Sequence, residues 1–217
     1  MKVQRVVDDI YRLAVNIEDE NYLFEGIWPI PHGISINAYL IRGEKNVLID
    51  LTQDIMDFPR AVEEQMEGAS LGVEDIDVIV VNHMEPDHSG VLTTLRRIAP
   101  QATILGTEKT RAMLESFYGI TEGVQVVQDG ETLSLGKHTL QFVYTPFVHW
   151  PETMVTYETS EQILFSCDAF GSYGAFRGGI FDDECVAPAL YEREALPYYY
   201  NIVAVFSRPV LRAIGKL

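Results

Sequence analysis

The sequence predicts an α/β sandwich that carries metal donors on loops along one edge of its sheets. Three observations predict it. Short apolar runs alternate with segments of helical spacing in the first half. The middle then changes to short strands separated by Gly-containing turns. One apolar run, Asp77 to Val81, leads straight into His83-Met84-Glu85-Pro86-Asp87-His88, four possible metal donors within six residues.

Taken in order, Ile34 to Ile41 and Asn46 to Leu51 read as strands around a hairpin-like turn, Arg42-Gly43-Glu44-Lys45. Phe58 to Met66, rich in Glu and Ala, reads as a helix. Asp77 to Val81 reads as a buried strand that delivers the donor cluster, and Pro86 is expected to stop regular structure there. Gly90 to Ile98 predicts a helix ended by Pro100, Ala102 to Leu105 a strand, and Thr107 to Phe117 a helix stopping near Gly119. Val124 to Val127, Thr132 to Leu135 and Thr139 to Thr145 read as strands joined by turns at Asp129-Gly130 and Gly136-Lys137. Met154 to Tyr157 and Gln162 to Ser166 continue the pattern. A helix from about Tyr191 to Ile214, with Pro197 and Pro209 at turns or kinks, closes the chain. No linker or internal repeat divides it, so residues 1–217 are expected to form a single domain.

Composition narrows the chemistry. Hydrophobic residues make up 47% and charged residues 22%, which are globular values. The net charge of -16 argues against nucleic acid, whose phosphates need a basic patch. No run approaches the ~20 apolar residues of a membrane span, and the N-terminus lacks an apolar signal core. A cytoplasmic protein is expected, with no membrane partner. The two cysteines, Cys167 and Cys185, form no CxxC pair and read as buried or half-buried thiols.

Two further donors, His149 and Asp168, follow strands as the first cluster does. A lone His is ordinarily structural, but a cluster with two more donors at strand ends points to a metal. Carboxylates at Glu85, Asp87 and Asp168 harden the set and favour iron or manganese over zinc. His32, between Pro31 and Gly33, reads as a turn residue. The glycines at 171, 174, 178 and 179 lack the context of a phosphate loop and read as a flexible loop. Trp150 reads as packing that fixes His149.

His-x-Glu-x-Asp-His, His149 in a His-Trp-Pro context, and Asp168 in Phe-Ser-Cys-Asp-Ala-Phe-Gly together resemble the diiron domain of the flavodiiron proteins, within the metallo-β-lactamase superfamily. The resemblance runs from about Leu23 to Leu217, including Gly33 to Ile41 and Tyr198 to Ile202. Hydrolases of the superfamily carry His at the position of Glu85. The resemblance implies a metallo-β-lactamase-like αββα sandwich that lacks its last strand and helix. It implies that one iron takes His83, Glu85 and His149, that the other takes Asp87 and His88, and that Asp168 bridges them. The family's second iron has a further His in a Pro-x-His-Gly-like segment. That segment has no match before Gly215-Lys216-Leu217, and neither His32 nor His138 sits in its context, so the diiron domain is expected to be C-terminally incomplete relative to the family. The family's FMN-binding flavodoxin domain is also unmatched, and the chain is expected to bind no cofactor besides iron. FMN would act only through a partner or a missing domain.

The function this implies is a non-haem diiron oxidoreductase that reduces O2 to water, NO to N2O, or both. Electrons would come from an external flavin or iron-protein donor, such as a flavodoxin-like domain or rubredoxin, within a homodimer. The alternative is a diiron module that binds or senses O2 without turnover, and a superfamily hydrolase is a third reading that Glu85 opposes. No catalytic residue is assigned beyond the ligands, and Glu25, Tyr198 and Tyr199 are candidates to line the pocket.

Overall fold

The computed structural model describes residues 2–54 and 57–217. A hairpin of β1 (Gln4–Val7) and β2 (Ile10–Ile17) opens the chain. A short ribbon of β3 (Leu23–Phe24) and β4 (Trp28–Pro29) follows. Next come β5 (Ile34–Ile41), β6 (Val47–Ile49), α1 (Phe58–Gly68), β7 (Val78–Val80), α2 (Pro86–Ser89), α3 (Leu92–Ile98), β8 (Thr103–Gly106), α4 (Glu108–Tyr118) and β9 (Val124–Val126). These strands build a seven-stranded sheet in the order β1-β2-β5-β6-β7-β8-β9. Pairing is antiparallel up to β6 and parallel from β6 to β9. Parallel neighbours need crossovers, which α1, α3 and α4 supply. β6 and β7 read Val-Leu-Ile and Val-Ile-Val, apolar at every position, because both faces of the sheet are covered there.

The second sheet is an antiparallel meander of β10 (Thr132–Ser134), β11 (Thr139–Tyr144), β12 (Met154–Glu158) and β13 (Ile163–Phe165). Ile10, Ile41, Ile49, Val80 and Leu105 meet Leu140, Phe142, Met154 and Phe165 between the sheets. Phe142 is 1% exposed, and burying such a side chain is worth about 1.5–3 kcal/mol. On its other face, the larger sheet packs Leu48, Ile79 and Ile104 with Met66, Leu92 and Leu114 of the helices. A third cluster joins Val15, Ile17, Ile34 and Ile36, at one end of the β2–β5 pair, to Phe24, Tyr173, Tyr198 and Ile202. No helix among the described residues is long and apolar enough to cross a membrane.

Most of the expected elements are present within a residue or two. The stop at Gly119 is a left-handed helix end (φ 66°), a conformation that glycine adopts without a Cβ clash. Four features differ from expectation. The β1–β2 hairpin had no clear signal, because β2 is buried along nearly its whole length and places Arg12 inside. The Asp129-Gly130 turn links β9 in one sheet to β10 in the other, so it is a crossover and not a hairpin turn. Pro86 does not end regular structure; it starts α2, since its fixed φ and missing N–H suit the first helical position. The closing helix is interrupted: α5 (Pro188–Tyr198) passes into a π-helical turn at Tyr199–Val203 and a 3-10 turn at Ala204–Phe206 before α6 (Ser207–Ile214). Pro197 lacks the N–H that would bond one turn back, and the helical pattern widens just after it.

Candidate metal centre

The site lies where β7, α2, the loop after β11 and the turn after β13 meet. Its base is a polar clamp between the sheets. Asn82 donates from its backbone N to Asp50 Oδ1 (2.9 Å) and from Nδ2 to Asp50 Oδ2 (3.0 Å). Thr156 Oγ1 donates to Asn82 Oδ1 (2.7 Å), and Met154 N donates to the Asn82 carbonyl (3.0 Å). Asp50 holds a left-handed backbone (φ 52°) at the end of β6 and is 2% exposed. This clamp fixes the end of β7 against β12, so His83, the next residue, leaves the sheet from a rigid base.

Four donors converge above it. His83, Glu85, His149 and Asp168 each offer an atom, and all four atoms lie within 4.8 Å of one another. Glu85 Oε2 is 3.2 Å from His83 Nε2 and 3.0 Å from His149 Nε2. Asp168 Oδ2 is 3.4 Å from both imidazole Nε2 atoms. Ligands held at ~2.1 Å from one ion stand ~3.0 Å apart at a right angle and ~3.4 Å apart at a tetrahedral angle. The four carboxylate–imidazole distances therefore suit ligands of a single cation.

Asp168 faces two ways. Its Oδ1 lies 3.0 Å from His88 Nε2, which in turn is 3.7 Å from Asp87 Oδ2. Asp87 and His88 are buried on α2, beside the first group but outside it. Tyr198 is 4% exposed and its hydroxyl donates to Asp168 Oδ1 (2.9 Å). Glu25 is exposed at the rim of the cavity that Glu85 and His149 line. Tyr199 is not at the site: it is exposed and packs edge-on against Tyr200, because the π-helical turn rotates it outward. His32 sits at the surface near Arg193 and Glu194, and His138 is buried against Glu158 at the start of β11. Trp150 packs edge-on against His83 at 5.1 Å.

Sequence reasoning missed Asp50, Asn82 and Glu152. Glu152 is 1% exposed, and its Oε1 accepts from His83 Nδ1 (2.7 Å) and from Met84 N (2.9 Å). The available signals were positional: Asn82 precedes His83, and Glu152 follows His149 by three residues, whereas nothing in the sequence around Asp50 points to the site.

A family model described as ODP family beta lactamase matches residues 34–185, a stretch that holds all six donors. The chain belongs to this family. The ODP domain's relatives are flavodiiron proteins. It is 39% identical over 187 residues to the anaerobic nitric oxide reductase flavorubredoxin of Salmonella arizonae, covering 85% of this chain and 38% of that protein. It is 31% identical to the flavo-diiron protein FprA2 of Clostridium acetobutylicum, covering 100% of this chain and 54% of that one. The rubredoxin oxygen:oxidoreductase of Desulfovibrio gigas superposes with a TM-score of 0.89 at 31% identity, over 99% of this chain and 52% of that chain. The fold is thus metallo-β-lactamase-like, as the sequence resemblance implied, and the chain spans about half or less of the length of these relatives.

Electrostatics in the ODP domain match a cation site. Burial alone would lower the His83 imidazole, but hydrogen bonds to Glu152 and Glu85 outweigh it and hold the group at about 9. His149 is likewise disfavoured by burial but raised to about 10 by Asp168 and Glu85. Glu85 is pushed up by burial and down further, to about 2, by the two imidazoles. Burial, then the neighbouring Asp168 and Glu85, raise Asp87 to about 6 against the pull of His88. Burial and the nearby Asp50 and Asp168 carboxylates push the Cys167 thiol well up, so it stays a neutral thiol. Burial and Asp168 also raise Tyr198, so its phenol stays protonated and donates.

One prediction arises here. In metal-free protein at neutral pH, His83 and His149 carry protons that a metal must displace. Binding at the first position should release about two protons, and affinity should rise about 100-fold per pH unit from neutral pH to about 9. Both folded-state values lie above the ~6.5 of an unfolded imidazole. The metal-free fold therefore gains stability that is full below about pH 6.5 and fades as pH rises through 9 to 10. Titration in buffers of different ionisation enthalpy counts the protons; no release would contradict the assigned donors.

Two cavities flank the donors. One, of about 550 Å³, is lined by Glu25, Glu85, His149, Trp150, Ile202 and Phe206. The other, of about 350 Å³, is lined by Asp87, His88 and Asp168 together with Arg12, Asn37 and Tyr198.

Proposed function

We propose that this ODP domain holds a non-haem diiron centre and serves an oxidoreductase that reduces O2 to water, NO to N2O, or both. We read residues 1–217 as one such domain. The observation that carries the proposal is Asp168: one oxygen faces the His83–Glu85–His149 group and the other faces His88. A carboxylate shared between two donor groups is what a two-metal site requires. Glu85 supports iron, since hard oxygen donors in an imidazole-carboxylate set favour it over zinc.

In this reading His83, Glu85 and His149 hold the first ion, Asp87 and His88 hold the second, and Asp168 bridges. When bound, an iron pair would supply the redox chemistry of the reduction. The chain's own residues do the rest. Tyr198 fixes the rotation of Asp168 by donating to Oδ1. Both reductions consume protons. Partial desolvation, then the neighbouring Glu85, raise the Glu25 carboxyl to about 7, so it can hold a proton at the rim near neutral pH. Trp150, Ile202 and Phe206 supply the apolar part of the larger cavity's wall.

The relatives named above include a flavorubredoxin and a rubredoxin oxygen:oxidoreductase. Electrons are accordingly assigned to an external donor, a flavodoxin-like domain bearing FMN or a rubredoxin, within a homodimer. The test is consumption of O2 and of NO by the iron-loaded chain with a reduced flavin donor. Turnover of either gas supports the reductase. Reversible binding without turnover would instead favour an O2-binding or O2-sensing module, and hydrolysis of an ester or lactam substrate would overturn both.

A further inference from the structure

We infer that Glu152 is the positioning residue for His83: it fixes which imidazole nitrogen faces the metal and raises that nitrogen's donor strength. The inference rests on the metal reading above. Glu152 Oε1 receives two N–H groups, His83 Nδ1 at 2.7 Å and Met84 N at 2.9 Å, in a pocket that leaves the residue 1% exposed. With the proton on Nδ1, the lone pair of His83 is left on Nε2. That is the atom 3.2 Å from Glu85 Oε2 and 3.4 Å from Asp168 Oδ2. An imidazole bonded to a carboxylate on one nitrogen is a stronger donor on the other.

Its surroundings make Glu152 more than an incidental neighbour. Its carbonyl accepts from Thr107 Oγ1 (3.2 Å), the residue that caps α4 by accepting from Thr110 N (3.2 Å). Its backbone is thereby tied to a helix N-terminus. It stands three residues after His149, so one turn carries both a donor and the group that aims a donor in the loop after β7. Trp150, in the same turn, packs edge-on against the His83 ring. Its second oxygen, Oε2, has no hydrogen-bond partner among the described residues. A buried carboxylate in that state is costly unless a positive charge lies close; the protonated His83 ring supplies one in the metal-free chain, and a cation bound through His83 would supply it once that proton leaves.

The test uses Glu152→Gln, which keeps size and an acceptor but removes the charge, and Glu152→Ala, which removes both. Fe(II) and Zn(II) affinities of the full chain are measured anaerobically by chelator competition, alongside the iron reduction potential and thermal melts. Glu152→Ala should weaken the tighter ion about 10–100-fold. Glu152→Gln should give a smaller loss with an unchanged melt and a higher reduction potential, which mere structural support would not move. Weakening with zinc but no uptake of iron would keep this inference and sink the iron reading. Affinities and potential equal to the unmodified chain in both variants would overturn it, as would failure of the unmodified chain to bind either ion.

Discussion

Asp168→Asn should empty both metal positions at once. Asp168 is the one donor that touches each group, with Oδ2 3.4 Å from His83 and His149 and Oδ1 3.0 Å from His88. Asparagine keeps the shape and still accepts from the Tyr198 hydroxyl, so the scaffold should survive. It removes the negative charge that offsets the cations. Loss of a charged, shared ligand should cost each position more than the ~10–100-fold typical of losing an outer hydrogen-bond partner. Metal analysis after gel filtration, with circular dichroism as the folding control, checks this. Retention of metal at the level of the unmodified chain would remove Asp168 from the ligand set.

Glu85→His should change which metal the site prefers. Glu85 Oε2 lies 3.0–3.2 Å from both imidazoles of the first group and supplies one of its two negative charges. Histidine would leave three imidazoles and one carboxylate, a softer and less anionic set suited to zinc. Selectivity between iron and zinc should move toward zinc by at least ~10-fold. Competitive loading with both metals reads this directly. An unchanged ratio would mean that Glu85 is not a ligand.

Much of this was legible in the sequence, and the reasons are specific. The donor-bearing strands are short, apolar runs that end in polar residues, a pattern carried by local composition. Six donors could be picked out because metal chemistry needs a small set of residue types, and the structure brings four of them together and the other two beside them. What was not legible depends on the fold. Glu152, Asp50 and Asn82 are ordinary polar residues in the sequence, and only packing places them against His83 or between the sheets. Tyr198 and Tyr199 were equivalent candidates; a π-helical turn sends one inward to Asp168 and the other to the surface. Arg12 disguised β2, because a buried cation breaks the expected apolar pattern; its guanidinium is held by Asn37 and Gln4 and lies 5.4 Å from the Phe176 ring.

The most direct measurement is metal content against added iron, with zinc competing, on this 217-residue chain. The first position has His83, Glu85, His149 and Asp168 converging within 4.8 Å. The second has Asp87 and His88 with a share of Asp168, and His88 and Asp87 stand 3.7 Å apart. The account predicts that iron prevails over zinc, with one ion held tightly and a second held more weakly and lost first to a chelator. Zinc at full occupancy with little iron, or two irons of equal affinity, would contradict it.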